Sequence, residues 1–265
     1  MLESPEHILY LKKKKYDKAL ILFFQIAIIF IFLISWELLS HFKIINTFLS
    51  SSPSEVVKTI ISLLNDKSLF SHITITLYET FISFIITSII GFLIAILMWF
   101  FPRFSKTIDP YLTILNALPK VALGPLIIIW VGASTNSIIF MALLISLFIT
   151  IINIYNGFNS TNENYIKLLK SLNASKICIF LKVVMPSNIK NLISTMKINI
   201  SMTLIGVIMG DLLVSIRGLG YLIMYGSQVF NINLVITSVF ILGIIAYLMY
   251  KLITIIENKY NKNNQ

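Results

Sequence analysis

Ser160 to Pro186 reads STNENYIKLLKSLNASKICIFLKVVMP, a polar interval in an otherwise strongly apolar chain. Ser160-Thr161-Asn162-Glu163 has the spacing of a capping box, in which a hydroxyl and a carboxylate satisfy the free amides of a starting helix. That spacing predicts a helix beginning near Thr161. Tyr165, Leu168, Leu169 and Leu172 then fall at i, i+3, i+4 and i+7, one apolar stripe, with Lys167, Lys170 and Ser171 opposite. Asn173 tolerates the left-handed backbone that closes helices, and Ser175 can cap a second helix running to Pro186. Residues 158–188 thus read as two short helices around a hinge, with an amphipathic surface suited to a soluble partner.

Outside this interval the composition decides the class. Hydrophobic residues make up 57% of the chain and charged residues 12%, with a mean hydropathy of +0.88. So little polar surface cannot wrap a soluble globule, and long uncharged runs read as transmembrane helices. The runs are about Ala19 to Leu39, Thr74 to Phe101, Tyr111 to Val131, Ser137 to Tyr155, Ile189 to Leu213 and Ile232 to Ile256, each near or above the roughly twenty residues a bilayer requires. The expectation is an all-α integral membrane protein with six spans in a single domain, 1–265, without linker or repeat. Pro119, Gly124 and Pro125 interrupt the third run. Such breaks persist where neighbouring helices or water satisfy the freed backbone groups, so a bundle-facing position and a purely structural kink both stay open. The first run follows a charged segment, is long enough to span and lacks a small-residue cleavage site, so it reads as a retained anchor.

Lysine and arginine placement gives an orientation. With the N-terminus inside, the inner segments hold Lys12, Lys13, Lys14, Lys15, Lys18, Arg103, Lys106, Lys167, Lys170, Lys176, Lys182, Lys190, Lys251, Lys259 and Lys262, and the outer ones only Lys43, Lys58, Lys67 and Arg217. Both termini and the two-helix interval are then cytoplasmic, and Cys178 lies in a reducing compartment. Outside, Pro53 to Phe70 reads as one amphipathic helix along the membrane surface, with Val56, Val57, Ile60, Ile61 and Leu64 on its apolar side. The net charge of +10 comes from clusters beside apolar runs. They lack the interleaved aromatics of a nucleic-acid groove, so no nucleic-acid partner is expected.

No catalytic residue or metal site is legible. His7, His41 and His72 lack ligand spacing, and the lone Cys178 cannot form an internal disulfide. Walker-type, His-Glu-x-x-His and Gly-x-Ser-x-Gly motifs do not occur. Ionisable groups inside lipid carry functional weight by default, which singles out Lys120 in the broken third span, Lys197 two turns into the fifth, and Asp211 near the outer end of the fifth. Each is a candidate for the translocation pathway. Snorkelling to the interface is the competing reading for Lys197 and still more for Asp211. Glu37 and Glu79 read as interfacial. Gly206 and Gly210 form a Gly-x-x-x-Gly pair that permits close helix approach, either as a dimer seam or as internal packing.

The stretch Lys167 to Pro186 resembles the EAA loop of permease subunits of binding-protein-dependent ABC importers. In that pattern Glu-Ala-Ala is followed by three residues, Gly, nine residues and Ile-x-Leu-Pro. Asn173 stands at the Gly position, Val183 and Met185 at the Ile and Leu positions, and Pro186 closes it, while Lys167, Leu168 and Leu169 replace Glu-Ala-Ala. Ser52-Pro53-Ser54-Glu55-Val56, Leu118-Pro119-Lys120-Val121-Ala122 with Pro125-Leu126, and Gly218-Leu219-Gly220-Tyr221-Leu222-Ile223 are similar to the nitrate/sulfonate/taurine branch. The resemblance implies a six-helix permease bundle whose cytoplasmic loop, through Tyr165, Lys167, Leu168, Leu169, Leu172, Asn173, Ala174, Ser175 and Pro186, couples to a separate ATPase. It implies two ATPase subunits, a second permease chain in a homodimer or heterodimer, and an extracytoplasmic substrate-binding protein. ATP and magnesium would sit on the ATPase, with no cofactor on this chain. The solute would be a sulfonate, nitrate, taurine or a vitamin precursor, small and mostly anionic. An ion-gradient-driven secondary transporter or channel is the alternative, but inverted repeats or an acidic relay, which it would call for, are not visible.

Overall fold

In the computed structural model, which describes residues 5–214 and 216–263, every regular element among those residues is helical. The side chains of His7, Lys12 and Lys18 lie outside the described set. The order is α1 (Pro5–His41), α2 (Thr47–Ser50), α3 (Pro53–Asn65), α4 (Ser68–Phe100), α5 (Pro102–Ala117), a 3-10 turn (Lys120–Leu123), α6 (Gly124–Val131), α7 (Thr135–Asn159), α8 (Glu163–Ser171), α9 (Lys176–Ile179), a π turn (Phe180–Val184), α10 (Met185–Ser187), α11 (Ile189–Val214), α12 (Leu219–Gln228) and α13 (Ile232–Asn263). Five helices, α1, α4, α7, α11 and α13, are long and apolar enough to cross a membrane, and α5 with α6 supplies a sixth, bent crossing.

The third expected span is therefore not the straight run Tyr111 to Val131. It starts at Pro102 and turns by 86° between Ala117 and Lys120. Leu118, which precedes Pro119, is forced out of helical geometry to φ −63°, ψ 142°. The missing N–H of Pro119 then leaves only a short 3-10 turn before Pro125 restarts the helix in the first turn of α6.

The bundle centres on α4, α7 and α11, and the inward face of α4 is built mainly from small and polar residues. Along α4 the buried face runs Thr76, Glu79, Thr80, Ser83, Thr87, Gly91 and Ala95, while Phe81, Ile89 and Leu93 of the same helix are exposed. In lipid, large apolar side chains gain nothing by turning inward, so helices associate through small residues that let backbones approach and through interhelical hydrogen bonds. Thr87 Oγ1 lies 3.1 Å from Ser146 Oγ of α7, and Asn199 Nδ2 of α11 donates to Ser88 Oγ at 2.8 Å. Gly206 and Gly210 belong to this seam. A Cβ on Gly206 would stand 2.5 Å from the Ala142 Cα, and one on Gly210 2.9 Å from the Ile138 Cα. The pair is thus internal packing of α11 on α7.

One further expectation is corrected, and two features are added. The surface helix stops at Asn65, because Lys67 takes a left-handed φ of 54° and Ser68 opens α4, several residues before the expected Thr74. Glu79, read as interfacial, is 1% exposed on the inward face of α4, beside Asp211 of α11. A further helix, α12, follows the fifth span, with Leu219 and Leu222 buried in the core against α13.

Candidate functional site

The 158–188 interval lies at the end of the bundle where α4 finishes. Its first helix is capped differently from the expected box. Ser160 turns back and donates to Gly157 O at 2.7 Å, finishing α7, and Asn162 caps α8 through its Oδ1, which accepts from Asn164 N at 2.9 Å. The helix accordingly begins at Glu163 instead of near Thr161.

The hinge is a Schellman turn. Ala174 N donates to Leu169 O and Asn173 N to Lys170 O, both at 3.0 Å, with Asn173 at φ 52°. This six-to-one and five-to-two pattern satisfies the last carbonyls of the helix and requires a left-handed residue, which asparagine tolerates better than other residues with a side chain. Ser175 Oγ then accepts from Cys178 N at 3.2 Å and starts α9. From there the chain stays helical to Ser187 through the π turn, in which Met185 N donates to Phe180 O. Pro186 explains the widening. Its ring would clash with the carbonyl four residues back in a regular helix, and an extra residue per turn relieves that clash.

The hairpin is fixed to the bundle by aromatic packing. The Phe180 ring sits 5.1 Å from Trp99, 5.3 Å from Phe100 and 5.3 Å from Phe158. Lys176 donates from Nζ to Phe100 O, the free carbonyl at the end of α4, and lies 5.5 Å from the centres of both the Trp99 and Phe100 rings. A cation is favourable over aromatic faces and at a helix C-terminus. Asn188 Nδ2 donates to Thr161 Oγ1 and Val184 O, each at 2.8 Å, joining the two ends of the interval. Neither Lys176 nor the aromatic anchor had a signal in local spacing, because the partner of Lys176 lies 76 residues away and Phe180 packs on rings from two other helices.

The expected stripe is divided. Leu169, with Ile166 and Ala174, packs on the chain's own cluster around Phe158, Phe180 and Val184. Tyr165, Leu168 and Leu172 point away and are 58%, 59% and 69% exposed, continued along the second helix by Ile177 and Leu181. Lys167 is exposed and pairs with Glu163 at 2.8 Å. The outcome is an apolar row on a braced hairpin at the bundle's end.

The other singled-out residues do not converge. Lys120 stands at the bend of the third crossing, where its Nζ donates to Asn116 O at 2.7 Å and caps α5. Lys197 is ion-paired with Glu257 of α13 and lies 5.2 Å from the centre of the Tyr250 ring. Asp211 follows 14 residues later, about 21 Å along the same helix at 1.5 Å per residue. It does not snorkel; it is 1% exposed. The helix α12 depends on it. The amides of Gly218, Leu219 and Gly220 donate in turn to His72 Nδ1 at 3.0 Å, Thr76 Oγ1 at 2.9 Å and Asp211 Oδ2 at 3.3 Å. Gly218 is at φ 115°, and a Cβ there would stand 2.4 Å from Asp211 Oδ2, so this turn needs glycine.

A family model described as binding-protein-dependent transport system inner membrane component matches residues 87–262. The chain is 27% identical over 226 residues to the formylaminopyrimidine transport permease protein of Halalkalibacterium halodurans, covering 85% of this chain and 90% of that one. It is 25% identical over 224 residues to the putative aliphatic sulfonates transport permease protein of Bacillus subtilis, covering 84% and 81%. Among solved structures, a chain of the inward-facing MetNI methionine ABC transporter is similar in fold, with a TM-score of 0.65 at 18% identity over 72% of this chain and 95% of that one.

Proposed function

The chain belongs to the family of binding-protein-dependent transport system inner membrane components, the permease subunits of ABC importers, and on that premise we propose that the 158–188 hairpin is the handle by which an ATPase subunit drives it. The observation that carries this reading is the exposed apolar row Tyr165, Leu168 and Leu172 on a hairpin braced by Phe180 and Lys176. The row is apolar, exposed and rigidly held, as a surface that transmits force between two proteins must be. In this scheme two permease chains face two ATPases, both termini and the hairpin are cytoplasmic, and ATP and magnesium are bound by the partner. A binding protein delivers the solute from outside. The solute is of the kind named for the relatives, an aliphatic sulfonate, taurine or a formylaminopyrimidine. ATP-driven closure of the ATPase pair shifts the spans between inward-open and outward-open states only because the hairpin contacts the two ATPase states differently.

Leu168→Asp and Leu172→Asp are the informative substitutions, because Leu169 also supports the chain's own core. Fully burying one leucine contributes about 1.5–3 kcal/mol, so each variant is expected to lower co-purification of the ATPase by about tenfold or more while the chain remains in the membrane. Association equal to that of the unmodified chain would remove the assignment.

A further inference from the structure

The broken third crossing has two unlike outer sides. Tyr111, Ile114, Leu115 and Leu118, at i, i+3, i+4 and i+7, are apolar and exposed. On another side of α5, Asp109, Thr113 and Asn116 fall at i, i+4 and i+7, and Lys120 follows at the bend. None of these four is buried. Their depth is set by α7. Ser105 Oγ bonds to the Tyr155 hydroxyl near the inner end of α7, and the Lys120 ammonium lies 5.9 Å from the centre of the Phe148 ring, halfway along that span. Thr113 and Asn116 stand between those two levels, at the depth of the hydrocarbon. Among the described residues the Asn116 carboxamide has no hydrogen-bond partner. A polar side at that depth is unfavourable against lipid and is found where a helix borders water or another protein chain.

We propose that this polar side of α5 borders the water-filled solute path, with Lys120 and Asn116 as the contact for an anionic oxygen group of the solute, a sulfonate or carboxylate. The proposal rests on the permease reading and deepens it. An ammonium carries three N–H donors. One is engaged by Asn116 O, which fixes the group at the head of the polar side, and two remain for a ligand. The Asn116 carboxamide adds its own N–H donors beside them. Asp109 stands seven residues nearer the inner end of α5, about 10 Å from Asn116 at 1.5 Å per residue. The nearest charge on this face to an anion held at the bend is therefore the Lys120 ammonium. The 86° turn at Ala117 and Lys120 is what presents it, because a straight helix would carry Lys120 on past Asn116. A lysine that served only to cap α5 would hold the helix end and give the path no preference for charge.

The test uses the assembled importer in lipid nanodiscs, in a Cys178→Ser background, with Thr113→Cys on the polar side or Ile114→Cys on the apolar side. Modification by methanethiosulfonates bearing either an ethylsulfonate or an ethyltrimethylammonium group is timed in nucleotide-free and ATP-bound states. Each rate is divided by that of free 2-mercaptoethanol with the same reagent. Thr113→Cys should react at least tenfold faster than Ile114→Cys in one state or both, and there the sulfonate reagent should be favoured over the ammonium reagent. Lys120→Met should lower that preference at least threefold, and Lys120→Arg should keep it. Equal rates at the two cysteines in both states, no preference for the anion with Lys120 present, or a preference that Lys120→Met leaves intact would each overturn the proposal. The Lys120-bearing protein gives the first two readings by itself, so the test decides even if Lys120→Met fails to fold. ATPase co-purification is measured on the same preparation. Its loss would sink the permease reading, and its persistence without an anion preference would sink only this one.

Discussion

Gly206→Ala is expected to lower the thermal stability of the detergent-extracted chain, while Gly243→Ala leaves it unchanged or slightly raised. The two positions differ in what an added methyl meets. At Gly206 it would lie 2.5 Å from the Cα, 3.1 Å from the Cβ and 3.2 Å from the N of Ala142, so two backbones must separate along the seam of α7 and α11. At Gly243 it meets nothing within 4 Å. Forcing a methyl into a packed interior typically costs about 1–3 kcal/mol, and at backbone contact the upper end applies. In an exposed helix position alanine is instead the better helix former by about 1 kcal/mol. A midpoint lower by about 5–10 °C for Gly206→Ala is expected, taking roughly 2–4 °C per kcal/mol for a chain of this size. Heating followed by size-exclusion chromatography reads it. Gly206→Leu is expected to leave no folded chain. Equal midpoints for Gly206→Ala and Gly243→Ala would contradict the internal seam and return the glycine pair to the role of a dimer contact.

The second large effect concerns Lys197. Its ammonium pairs with the Glu257 carboxylate between α11 and α13, and the two side chains are 14% and 23% exposed. Removing one partner leaves the other charge uncompensated among apolar helices, which costs about 3–5 kcal/mol for fully buried pairs and less here, in proportion to the remaining exposure. Removing both leaves neither charge stranded. Lys197→Met should therefore reduce the amount of extractable folded chain severalfold, and the double variant Lys197→Met with Glu257→Gln should recover most of it. A double variant as poor as the single one would show that Lys197 acts through something other than this pair, and a role in the pathway would regain its standing.

The spans were legible because lipid imposes a simple rule of length and apolarity, and five of the six runs each lie within one continuous helix. The hairpin was legible because its signals are local. Asn173 takes its left-handed turn and Ser175 its cap, each within a few residues of the sequence that dictates it. Where local signals compete, the tertiary partner decides. Ser160 closes α7 instead of opening α8, and Leu169 turns inward although spacing groups it with Leu168 and Leu172. The buried carboxyls were misplaced for a related reason. Position within an apolar run places a group along the membrane normal but says nothing of its rotation about the helix axis. Asp211 faces inward because the amide of Gly220 and the hydroxyl of Thr76 are there to receive it, and Glu79 lies beside Asp211. The bend at Pro119 was visible as a break, but its 86° angle follows from how α6 packs on α7, which no spacing encodes.

The central claim, that an ATPase grips the hairpin from the cytoplasm, is tested most directly by crosslinking from Leu172→Cys in a Cys178→Ser background. Membrane vesicles of known sidedness containing the assembled importer are treated with a short heterobifunctional reagent that joins the Leu172→Cys thiol to a partner lysine amine, and intact cells with an impermeant maleimide. A crosslinked product joining this chain to the ATPase, with yield that changes between nucleotide-free and ATP-bound states, together with no labelling of intact cells, is the expected result. Labelling of Leu172→Cys from outside intact cells, with no ATPase crosslink in the vesicles, would contradict it.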